Sequence, residues 1–127
     1  MHHKKGHRAV EKMGAVCGYI LQHMEEKTLY IAGDTIYYDE VEQILLTQQP
    51  DIVVLNCCAA TTVFGRLIMH DKDVAQVCRA VPDATVIASH MDSVNHALIF
   101  SDDLRRFAKE HQLSRLHVPV NGEVMEY

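Results

Sequence analysis

Three short runs, LYIA at 29–32, IVVL at 52–55 and TVIA at 85–88, are apolar at consecutive positions instead of alternating. Strands of that kind are covered on both faces, which favours parallel strands joined by crossovers over a one-sided antiparallel sheet. Between the runs the period changes. Val41, Ile44 and Leu45 predict a helix over 37–49 that Pro50 ends, and Val74, Val77, Cys78 and Val81 predict another over 71–81 that Pro82 ends. Ser101 is placed to cap a third helix, over 102–111, with Leu104, Phe107 and Ala108 inward. Upstream, residues 13–22 (MGAVCGYILQ) and 28–32 are spaced to pair as an antiparallel hairpin, and 116–120 predicts a last strand. Residues 56–70 show no period and are expected to form a loop. The order β-β-α-β-loop-α-β-α-β is that of an α/β domain with a mixed sheet. Covering both sheet faces has two solutions: helices on each, or helices on one and a second sheet on the other.

With 127 residues, one domain over 1–127 is expected, its polar, histidine-bearing segment 1–12 poorly ordered. The charge of −5 and the lack of a Lys/Arg cluster argue against a nucleic-acid partner. No apolar run approaches the roughly 20 residues that span a bilayer. Cys17, Cys57, Cys58 and Cys78 form neither a CxxC pair nor a regular framework, which fits a reduced, cytoplasmic setting. Adjacent Cys57 and Cys58 are better read as inert thiols than as a metal pair, since neighbouring side chains leaving a strand point apart.

Three polar points fall at strand ends: Gly33-Asp34-Thr35, Asn56 and His90. Ligands and catalytic groups collect at the carboxyl ends of strands in sheets with βα crossovers. There a carboxylate and an imidazole from neighbouring strands could hold a divalent metal. Each also has an ordinary structural reading, Asp34 as a helix cap and His90 as a strand-end histidine.

Taken together, MGAVCGYILQHMEEKTLYIAGDT, DIVVLN, the GRLIM loop and ATVIASHMDSVNHALI resemble the metallo-β-lactamase superfamily, and within it the lactonase-like metal-dependent hydrolases. The resemblance runs from about residue 7 to the end of the chain. It implies an αββα sandwich, two sheets packed face to face with helices outside. It also implies that Asp34 is the metal-bridging carboxylate, that His90 is the second-site ligand, and that His3 or His7, with a slight preference for His3, stands before the hairpin. The metal would be Zn²⁺ or Mn²⁺. Arg66, where relatives have proline, becomes a candidate for binding an anionic substrate, although a solvated loop arginine is the simpler reading.

The superfamily motif HxHxDH is absent from this sequence. The chain therefore resembles the C-terminal half of such an enzyme, half of an αββα sandwich with a mixed sheet and helices on one face. One half alone leaves an apolar sheet face without cover, and a second copy related by a two-fold axis is the simplest partner. Three functions follow: a truncated domain that binds metal weakly and associates through its sheet; an active hydrolase of a small ester, lactone or phosphorylated molecule, working as a dimer or with a chain that supplies HxHxDH; or an unrelated doubly wound ligand-binding module.

Overall fold

A computed structural model describes residues 11–93 and 95–127. Five strands form the main sheet: β1 (Tyr19–His23), β2 (Glu26–Ile31), β3 (Ile52–Asn56), β6 (Thr85–Ser89) and β7 (Leu116–His117). They lie in the order β1-β2-β3-β6-β7. β1 and β2 pair antiparallel, and every other neighbour is parallel. A small hairpin, β4 (Thr61–Thr62) with β5 (Gly65–Arg66), follows β3. The helices are α1 (Asp39–Gln48), α2 (Asp71–Ala80) and α3 (Ser101–Glu110).

From β2 to β7 the strand order advances in one direction without a reversal. Right-handed crossovers stepping one way set α1, α2 and α3 on the same face. That leaves the sheet with one helix-covered face and no switch point, so the doubly wound alternative does not describe this chain. The covered face carries Tyr30, Val53, Leu55, Val86 and Ala88, all buried against Val41 and Leu45 of α1, Val74 and Val77 of α2, and Leu104 of α3. Burying each large aliphatic side chain there contributes about 1.5–3 kcal/mol.

The opposite face is different. Register aligns Tyr19, Ile31, Val54 and Ile87 in one row, and Leu21, Leu29 and Ile52 in another. Ile87 is buried, but Leu29, Ile31, Ile52 and Val54 are half-buried, and Tyr19 and Leu21 are 62% and 53% exposed. Among the described residues, the consecutive apolar positions that suggested two covered faces thus meet the α1–α3 layer on one side.

Several element limits shift, each for a local reason. Residues 11–13 are helical, and β1 starts at Tyr19, not Met13. Gly14 turns at φ +75°, and Gly18 lies so close to β2 that a Cβ there would sit 2.9 Å from the Ile31 carbonyl oxygen. Ser101 is inside α3, and Phe100 is its N-cap, because Ser101 bonds to Asp92 instead. β7 stops at His117. Beyond it, Arg105 collects the Val118 and Pro119 carbonyls at 3.1–3.2 Å, taking their acceptors out of the ladder. Within the expected loop 56–70, Thr62 Oγ1 accepts the Phe64 N–H at 3.2 Å and Gly65 adopts φ +124°, which together close the β4–β5 turn. No helix among the described residues is long and apolar enough to cross a membrane.

Candidate metal centre at the carboxyl end of the sheet

Ala32 continues β2 alongside β3 by donating its N–H to the Val54 carbonyl at 3.0 Å. The chain then turns at Gly33, where φ is +68° and an added Cβ would lie 2.9 Å from the Cys17 carbonyl oxygen. Both the dihedral and the contact demand glycine. This turn carries Asp34 over the end of β3, where Asn56 Nδ2 donates to its Oδ1 at 2.6 Å. Asp34 is not a helix cap. The N-cap of α1 is Tyr38, with no side-chain cap bond, so the ordinary structural role weighed for Asp34 does not apply.

Asn56, the last residue of β3, pairs in register with Ser89, the last of β6. Cys57 N–H donates to the Ser89 carbonyl at 2.9 Å, which keeps the two strand exits together. His90 follows at once, exposed and at φ +67°. Asp34, Asn56 and His90 therefore gather at one end of the sheet, on three adjacent strands. The segment beyond His90 is stapled back twice. Asp92, at φ +62°, accepts the Ser101 N–H at 3.0 Å and the Ser101 hydroxyl, which holds its carboxyl below the usual carboxylate range. Leu98 N–H donates to the Cys58 carbonyl at 2.9 Å.

The remaining candidates stand apart from this group. His3 and His7 lie outside the described residues. Arg66, on β5, is paired with Asp73 in the first turn of α2, and its Nε is buried with no hydrogen-bond partner. His70 Nε2, at the start of the same turn, is likewise buried without one. His96 is exposed beside Asn95. Cys57 and Cys58 are buried, and burial pushes the Cys57 thiol well above its ordinary value, so it stays protonated. Cys17, although it lies within the apolar run 13–22, is exposed, with its thiol 3.3 Å from the Tyr19 hydroxyl.

Asp34 offers a hard oxygen and His90 an imidazole nitrogen, a donor pair suited to a divalent metal. An open hydrolytic site takes about three protein ligands and a water. Among the described residues no three His, Cys, Asp or Glu side chains are placed to hold one ion. The described chain thus fits part of a centre. The residue that sequence reasoning left without a role is Asn56, although a polar side chain closing an apolar strand was its visible signal.

Residues 1–91 match the family described as the beta-lactamase superfamily domain. The chain is 40% identical over 123 residues to UPF0173 protein YddR of Bacillus subtilis (strain 168), covering 95% of this chain and 48% of that protein. It superposes with a TM-score of 0.89, at 36% identity, on an isothiocyanate hydrolase from Delia radicum gut bacteria, covering 95% of this chain and 48% of the other. A possible metal-dependent hydrolase from Veillonella parvula DSM 2008 gives a TM-score of 0.85 at 32% identity, over 93% of this chain and 46% of that one. The chain spans about half the length of each. One helix-covered sheet, two metal-type donors at its carboxyl end and a match to half of longer proteins have a common explanation: the chain belongs to the metallo-β-lactamase superfamily and corresponds to half of its fold.

Proposed function

We propose that this chain is one half of a metal-dependent hydrolase of small molecules, contributing Asp34 and His90 to a divalent-metal centre whose other ligands come from a second polypeptide segment. The observation that carries this reading is the placement of Asp34: outside the cap of α1, held by Asn56 at the end of β3, and set at the exit of β2, one strand removed from the β6 exit that carries His90. Zn²⁺ or Mn²⁺ suits an oxygen and an imidazole donor. Such an ion, when bound in a complete site, makes a nucleophile of its water near neutral pH. With Asp34 and His90 alone the chain binds metal weakly and does not hydrolyse.

The uncovered sheet face is where the complement docks, and a second copy paired about a two-fold axis brings two Asp34/His90 sets to one cleft. As a dimer of that kind, or with a chain supplying HxHxDH, the assembly would hydrolyse a small electrophile. The isothiocyanate hydrolase among its neighbours supports an electrophilic carbon as the target, as in an ester, lactone or isothiocyanate. A phosphorylated substrate fits less well, because Arg66, the cation that would meet it, is already paired with Asp73. The buried thiols suit a reducing cytoplasmic setting.

Metal analysis tests the reading directly. In equilibrium dialysis against Zn²⁺ or Mn²⁺, the purified chain is expected to take up metal that Asp34→Asn does not, with the far-ultraviolet circular dichroism unchanged. Equal uptake by Asp34→Asn overturns it.

A further inference from the structure

We infer that Asn56 is the positioning residue of this centre, aiming the Asp34 carboxylate toward the metal without cancelling its charge. The inference rests on the reading of Asp34 as a donor and adds a residue to it.

Geometry sets the argument. Asp34 sits in a turn beyond the end of β2, at the third residue past Ile31, and its side chain reaches the end of β3. A carboxylate in such a turn has several rotamers, and ordering it for metal binding costs side-chain entropy. The 2.6 Å bond from Asn56 Nδ2 to Oδ1 selects one of them. Asn56 can do this because it is itself fixed: it is the last residue of β3, a central strand paired on both sides. Its register partner Ser89 directly precedes His90, so a single strand exit references both donors.

The chemistry of the amide matters as well. An asparagine amide carries no net charge, and one of its two N–H donors is enough to hold the Asp34 oxygen. Lysine or arginine in its place would hold the carboxylate equally well, but would offset the negative charge that attracts a dication. The short contact across 22 positions of sequence is therefore of a kind suited to a ligand-orienting partner, and partners of this kind are worth roughly 10–100-fold in metal affinity.

The test is titration of the 127-residue chain with Co²⁺, followed through the visible absorption of the bound ion, with Zn²⁺ competition for affinity. Asn56→Ala, and Asn56→Leu as a variant that preserves side-chain volume, are expected to bind about 10–100-fold more weakly and to alter the cobalt spectrum, with the metal-free melting temperature close to that of the parent. A merely structural role would lower the melting temperature and leave affinity and spectrum alone, and that result overturns the inference. Asp34→Asn separates the two claims. Loss of binding in Asp34→Asn with unchanged binding in both Asn56 variants removes the role of Asn56 and keeps the donor reading; unchanged binding in Asp34→Asn removes both.

Discussion

The guanidinium of Arg66, on the β4–β5 hairpin, meets the carboxylate of Asp73 in the first turn of α2, and the same carboxylate oxygen accepts the His70 N–H at 3.0 Å. Among the described residues Asp73 is the one charged residue that is buried, 4% exposed, whereas the Arg66 side chain is 41% exposed. One buried acceptor thus anchors a hairpin to a helix start. Asp73→Ala removes the helix-start bond and the ion pair together and is expected to destabilise the chain by about 2 kcal/mol, the solvent-facing arginine keeping the pair's share small. Urea unfolding of Asp73→Ala beside Arg66→Ala checks this. A larger loss for Arg66→Ala would contradict the assignment of Asp73 as the anchor.

Asp92 gives the pH dependence. Its carboxyl is held below the ordinary value of 3.8, first by the Ser101 hydroxyl and then by the Ser101 N–H. A depressed carboxylate contributes stability that is present above its unfolded value and is lost as pH falls through its lower folded value. Asp92→Asn should therefore be less stable than the parent at neutral pH, and the gap should close in strong acid. Denaturation midpoints measured at neutral pH and well below 3.8 test the sign. A gap that widens in acid contradicts it.

Gly33 is required by two independent constraints, its left-handed φ of +68° and the 2.9 Å approach of the Cys17 carbonyl to a would-be Cβ. Gly33→Ala is expected to cost on the order of 1–3 kcal/mol. Because the turn carries Asp34, it should also weaken metal uptake, whereas Gly122→Ala, at φ +83° in open space, should affect stability alone. Paired melting and metal titrations distinguish them.

Association through the sheet is checked by light scattering across a concentration series. The parent chain is expected to be dimeric, and Leu21→Lys or Val54→Lys, on the uncovered face, to shift it toward monomer. Val63→Lys, at a hairpin tip that is 94% exposed, serves as the control and should leave the mass unchanged. A parent chain that is monomeric throughout the series rules the dimer out.

Much of the fold was legible because its signals are local. Hydrophobic period and proline placement located α1 and α2 to within two residues at each end, and apolar runs located β3 and β6. Local pattern did not reach the β4–β5 hairpin, whose strands are two residues each, nor the late start of β1, where Gly18 is pressed against Ile31 of the opposite arm, a contact that the apolar pattern does not encode.

The amino-acid sequence by itself determined which residues could act: Asp34 after one strand and His90 after another, with HxHxDH missing between them and everything else. Tertiary structure decided how they are deployed. Parallel register put Asn56 beside Ser89, so two strand exits coincide, and a turn at Gly33 swung Asp34 over to Asn56. The one-way strand order sent α1, α2 and α3 to a single side and left Tyr19, Leu21, Ile31 and Val54 on the other. The physical reason is that composition and period act over one or two turns of chain. Register, crossover hand and the coverage of a face are fixed by contacts between residues far apart in sequence.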